Sequence, residues 1–142
     1  MRGSLNRLRP GALEGRTLKD ALEKMIREYQ TLSNLQVDLH YEWVDVDMDV
    51  MIEDTIFRVI QESMTNAVRH GHAGQMSLHF FEDEEDYLIE LQDNGVGFET
   101  LTYGYGLKQM MERISILGGQ LQFESRDGFF TRVSLPKYKE GR

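Results

Sequence analysis

The run from Asp93 to Gly106, DNGVGFETLTYGYG, carries four glycines in fourteen residues. It separates a segment that alternates like a strand from one spaced like a helix. Glycine at this density lets backbone come close to a ligand and weakens any regular element built from it. Its opening, Asp93-Asn94-Gly95, has the composition of a two-residue hairpin turn. The sequel, Glu99 to Tyr103, has no clean alternation, and Gly104 and Gly106 follow, so no return strand pairs there. The fold must therefore place an irregular stretch between a strand end and a helix start.

The flanking periodicities supply the remaining elements. Thr17 with Asp20 resembles a capping box, and Leu18, Ala21, Leu22, Met25, Ile26 and Tyr29 recur at helical spacing to about residue 31. Leu35, Val37, Leu39, Tyr41 and Trp43 then alternate with polar residues, as on a half-buried strand. A second helix is expected from Val50 to about His70, with Ile52, Ile56, Val59, Ile60 and Ala67 near one face, ended by Gly71 and Gly74. Strands over 75–81 and 87–92 flank an acidic tip, Glu82 to Asp86, that reads as a solvated hairpin loop. A third helix presents Leu107, Met110, Met111, Ile114 and Leu117 and stops at Gly118-Gly119; strands at about 120–125 and 129–135 close the chain. The methionines from Met48 to Met76 and the pair Met110-Met111 fall at or near core spacing. Mixed order with two antiparallel hairpins predicts an α/β two-layer sandwich: a mixed, mostly antiparallel sheet covered on one face by three helices.

Composition narrows the functions. A formal net charge of -8 disfavours nucleic acid and acidic lipid, both of which bind clustered Lys and Arg. No window approaches the roughly 18 apolar residues of a membrane span, so no membrane contact is expected of these residues. The absence of cysteine excludes a disulfide framework and a thiolate nucleophile, and suits a reducing cytoplasm.

The chemistry-bearing residues are few. Glu62 and Asn66 stand four apart, neighbours on the flank of the apolar stripe of the second helix. An Asn amide oxygen together with substrate phosphates suits magnesium, with a nearby carboxylate ordering one of its waters. Asp93, at a strand end, can accept a hydrogen bond from an exocyclic amine such as that of adenine. Gly104 and Gly106 precede a helix whose N-terminus favours phosphate, with Lys108 one turn inside. The pattern is neither a Walker loop nor a dinucleotide fingerprint.

Glu62-x-x-x-Asn66, Asp93-x-Gly95-x-Gly97 and Gly104-x-Gly106-Leu107 together resemble the N, G1 and G2 boxes of the gyrase, chaperone and histidine-kinase ATP-binding fold. Asn66-Ala67-Val68-Arg69-His70, the stretch Gly106 to Arg113 and Leu117-Gly118-Gly119 look like the sensor-kinase subclass of nitrate and desaturase-control sensors. The resemblance implies ATP and Mg2+ as bound species. Asp93 would read adenine, Asn66 would ligate magnesium, and Glu62 would orient its water or take a proton. Arg69, His70 and Lys108 would neutralise phosphates. For His70 a helix-terminal cation is an equally good reading, and His40 and His79 read as surface residues.

The resemblance also implies a domain plan: residues 1–16 as a linker or the tail of an upstream dimerisation helix, with Leu8-Arg9-Pro10 and Leu13 at the junction, 17–138 as the ATP-binding domain and 139–142 as a tail. The expected partners are a histidine-bearing dimerisation domain of the same protein and a response regulator. The expected location is the cytoplasm, with or without a membrane anchor elsewhere in the full-length protein. An anti-sigma-type serine kinase and a non-enzymatic nucleotide-binding scaffold are the alternatives on the same fold. The chain departs from the pattern in three places. Only Glu99 to Tyr103 separate Phe98 from Gly104, so the lid is short and a modest affinity is expected. Gly128-Phe129-Phe130-Thr131 lacks the second glycine of the usual G-x-G-T ending. None of the four histidines lies in the H-D or H-E context of a phosphoacceptor.

Overall fold

The computed structural model describes residues 13, 15–44, 46, 48–69, 73–95 and 105–137, with Tyr105 as backbone. Helices α1 (Leu18–Leu32), α2 (Val50–Arg69) and α3 (Tyr105–Ile116) accompany strands β1 (Gln36–Tyr41), β2 (Gln75–Glu82), β3 (Asp86–Asp93), β4 (Gln120–Ser125) and β5 (Phe129–Pro136). The sheet runs β1-β2-β3-β5-β4. Only the β1–β2 pairing is parallel, with α2 as its crossover; the other three are antiparallel. The mixed, mostly antiparallel sheet is the one that the sequence pattern predicts.

Local chemistry sets the element boundaries. Thr17 caps α1 by accepting from the Asp20 N–H at 3.1 Å, an interaction worth about 1 kcal/mol. Gly118, two residues past the end of α3, has φ 82°, and a methyl group at Gly119 would overlap the Ser134 carbonyl, so α3 can turn back into β4 only through a residue without a side chain. Asp83 Oδ1 accepts from the Glu85 and Asp86 N–H groups at 2.9 and 2.7 Å, closing the acidic tip as a solvated turn. Those two donors hold the Asp83 carboxyl below its ordinary range.

The core lies between the helices and one sheet face. Leu22, Ile60, Met64, Leu78, Phe80 and Ile114 are fully buried there, each worth roughly 1.5–3 kcal/mol in transfer terms. Two expectations need correcting. Met51 is 70% exposed although it stands in the methionine series, because it falls on the outer face of the first turn of α2. Leu13, within the entry segment, is buried in the core, so packing begins before Thr17. Of the other proposed linker and tail residues, Gly15 and Arg16 are described, and 1–12, 14 and 139–142 lie outside the described residues.

Candidate nucleotide site

Asp93 is the last residue of β3 and is 6% exposed. A carboxylate so deeply buried requires partners, and its Oδ1 accepts from the Gly95 N–H at 2.8 Å and the Phe129 N–H at 3.1 Å. Among the described residues Oδ2 has no such partner. The surrounding motif works locally: Asn94 Oδ1 accepts from the N–H groups of Gly74 and Gln75 at 2.8 and 2.9 Å, tying the exit of β3 to the start of β2. Gln92 Nε2 donates to the Asp93 and Arg126 carbonyls at 2.7 and 3.1 Å, tying it to the β4–β5 turn. In that turn Gly128 has φ 129°, and a methyl group there would overlap the Asp93 carbonyl. The carboxylate is thus held by its own loop and by a neighbouring hairpin.

Glu62 and Asn66 lie on the face of α2 that meets α3. A methyl group on Gly106 would overlap the Glu62 carboxylate, so glycine here lets that anion rest against the first turn of α3. A helix N-terminus favours such a charge. Asn66 and Asp93 line one cavity together with Ser63, Leu107, Met110 and Thr131. It is narrow, about 10 Å³, the room of roughly one water. A flat base enters only if side chains yield, and Met76 and Met110 on its wall have the flexible, unbranched form that does so.

Residues 51–139 match the family described as histidine kinase-, DNA gyrase B-, and HSP90-like ATPase. The chain belongs to this ATPase family. Among curated proteins it is 34% identical to the signal transduction histidine-protein kinase/phosphatase UhpB of Salmonella typhimurium, an alignment covering 96% of this chain and 28% of that protein. It is 30% identical to the sensor histidine kinase LiaS of Bacillus subtilis, over 95% of this chain and 38% of that one. The chain therefore spans between a quarter and two fifths of the curated relatives it matches. In fold it resembles the Acinetobacter baumannii histidine kinase AdeS, with TM-score 0.74 at 21% identity over 85% of this chain and 65% of that chain. The histidine kinase domain of the Erythrobacter litoralis blue-light activated kinase gives TM-score 0.71 at 18% identity, over 84% and 60%.

In this member of the ATPase family the structure brings Glu62, Asn66, Asp93, Gly106 and Leu107 to the α2–α3–β3 junction, and Gly95 to the back of Asp93. Arg69 is exposed, three residues past Asn66 on the same helix face. Lys108 is exposed and does not line the cavity shared by Asn66 and Asp93; at about 100° per residue it stands roughly 200° round α3 from Gly106. Gly97, Gly104 and His70 lie outside the described residues. His79 is half-exposed and pairs with Glu42 at 2.9 Å, and His40 is exposed beside it, so both are surface residues as read from the alternation. Sequence reasoning missed Thr131, a buried hydroxyl lining the Asp93 cavity. The available signal was its inward phase between Phe129 and Val133, where a strand facing a core otherwise carries apolar residues. Phe130, in the place of the second glycine of the G-x-G-T ending, points to the outer sheet face under Arg126, whose guanidinium lies 3.8 Å from the ring centre. Among the described residues no helix is long and apolar enough to cross a membrane.

Proposed function

We propose that the chain is the Mg-ATP-binding catalytic domain of a sensor histidine kinase, acting in two-component signal transduction. The observation that carries this reading is the buried Asp93 carboxylate, with one oxygen saturated by two backbone N–H groups, beside a cavity shared with Asn66. Asp93 accepts from the adenine amine. Asn66 would hold magnesium, which would supply charge neutralisation at the phosphates. Phosphate and water oxygens would complete its shell, since magnesium keeps several waters and takes few protein ligands. Arg69 and the N-terminus of α3 face the phosphates.

An imidazole nitrogen of the acceptor attacks the γ-phosphorus. A P–N bond forms as the bond to the β,γ-bridging oxygen breaks, and that electron pair leaves with ADP. The imidazole proton passes to a base, a role that suits the Glu62 carboxylate. The acceptor histidine stands on a dimerisation domain of the same protein, and a response regulator receives the group from it. These steps take place in the cytoplasm.

Incubation with γ-labelled ATP tests the reading. Alone, the chain is expected to incorporate no acid-labile phosphate, because transfer needs donor and acceptor held in line. Joined to a histidine-bearing helical hairpin of a sensor kinase, it is expected to label that histidine, and Glu62→Ala to abolish the label. Acid-labile label on the chain alone would refute the missing acceptor and reopen His40, His70, His72 and His79.

A further inference from the structure

A second cavity lies at the α2–α3 boundary, one turn nearer the N-terminus of α2 than the one shared by Asn66 and Asp93. Arg58, Gln61, Glu62, Gly106, Gln109 and Arg113 line it, and its volume of about 130 Å³ far exceeds the room one water needs. The lining follows from helical register. Positions 58, 61 and 62 share a face of α2, and positions 106, 109 and 113 share a face of α3. Met110 lines both cavities and stands between them, and Glu62 lines this one.

The charge of this cleft runs against that of the chain. In a protein of net charge -8, the two helices carry four Arg or Lys residues, and two of them, Arg58 and Arg113, meet here. Arg58 spends one of its five donors, Nε, on Asp54 Oδ2 at 3.0 Å. Among the described residues Arg113 forms no ion pair. The Glu62 carboxylate already rests on the first turn of α3, the helix end suited to an anion. A phosphate brought to that end meets a like charge, so cations on its far side are required if both anions are to stay.

We propose that this cleft receives the γ-phosphoryl group of ATP and that Arg58 and Arg113 pair with its oxygens. The inference rests on the nucleotide reading above and extends it. A guanidinium fork matches a phosphoryl group in geometry as well as charge. The two arginines take the part that residue spacing assigns to Lys108, which the rotation of α3 turns away. Their other roles, an i–4 pair with Asp54 and a cation in the last turn of α3, would not distinguish ATP from ADP.

Calorimetry of the 142-residue chain with Mg-ATP and Mg-ADP makes that distinction. Arg58→Gln with Arg113→Gln is expected to lower ATP affinity by about tenfold or more, to leave ADP affinity within about twofold, and to regain part of the loss when both positions are Lys. ADP binding also reports that the variant is folded. Parallel loss of both nucleotides, or an unchanged ratio of the two, would overturn the proposal. If the unaltered chain binds ATP in an Asp93-dependent way and the ratio does not move, the cleft assignment fails alone. If it binds neither nucleotide, the nucleotide reading fails with it.

Discussion

Replacing Asp93 by Asn separates recognition from folding. Oδ1 accepts from Gly95 and Phe129, so the amide must keep its oxygen there and present its NH2 where Oδ2 stood. Each backbone bond then loses its charged acceptor, a change from about 1.5–3 to about 0.5–1.5 kcal/mol. Relief from burying a carboxylate offsets part of this, leaving a net loss of at most about 2 kcal/mol. That corresponds to a fall in Tm of under about 10 °C for a domain of this size. For the ligand the change is harsher. A donor now faces the adenine amine, so ATP affinity is expected to fall about tenfold to a hundredfold, while GTP, which presents a carbonyl there, should not fall and should gain. Asp93→Ala is the poorer probe, because it strands two backbone donors and mixes stability with binding. Calorimetry with Mg-ATP and Mg-GTP, beside a thermal melt of each variant, reads both quantities. An Asn variant that melts as expected yet keeps its ATP affinity would remove Asp93 from base recognition.

Asn66→Ala is expected to weaken ATP binding in magnesium and to change it little in EDTA; equal losses in both buffers would make Asn66 structural. Gly128→Ala forces a side chain into φ 129° and onto the Asp93 carbonyl, so a melt should show a loss of at least about 2 kcal/mol, and ATP affinity should fall because the Phe129 donor moves. A stable Gly128→Ala variant with normal affinity would show that the β4–β5 turn does not position Asp93. Tyr41 has its pKa pushed up to about 12, by burial first and by the Glu53 charge second. Because the folded value exceeds the ordinary one near 10, its contribution is whole below about pH 10 and is lost as pH rises toward 12. Phenolate absorbance should show a late-titrating step, and Tyr41→Phe should remove it.

Most of the fold was legible because α1, α2, β1 and β2 keep an unbroken period, and because Gly118-Gly119 and the DNG run sit where elements must stop. Less legible was what depends on pairing across the chain. Strand alternation in β1 marks its buried face but not that it pairs parallel with β2, which the α2 crossover decides. Asp93, Asn66 and Glu62 could be proposed from sequence because spacing along single elements singles them out, and the fold brings them to one junction. The proposed phosphate-binding cations could not be picked out that way. Lys108 is near Gly106 in sequence yet is turned away from it, whereas Arg113, seven residues on, returns to the Gly106 face at about 100° per residue. Arg58 stands to Glu62 on α2 as Asn66 does, one turn off in the other direction. Glu62 therefore has the proposed metal ligand on one side and a guanidinium on the other, and only the packing of α3 across α2 turns that row into the path along which we propose a phosphoryl group is held and passed.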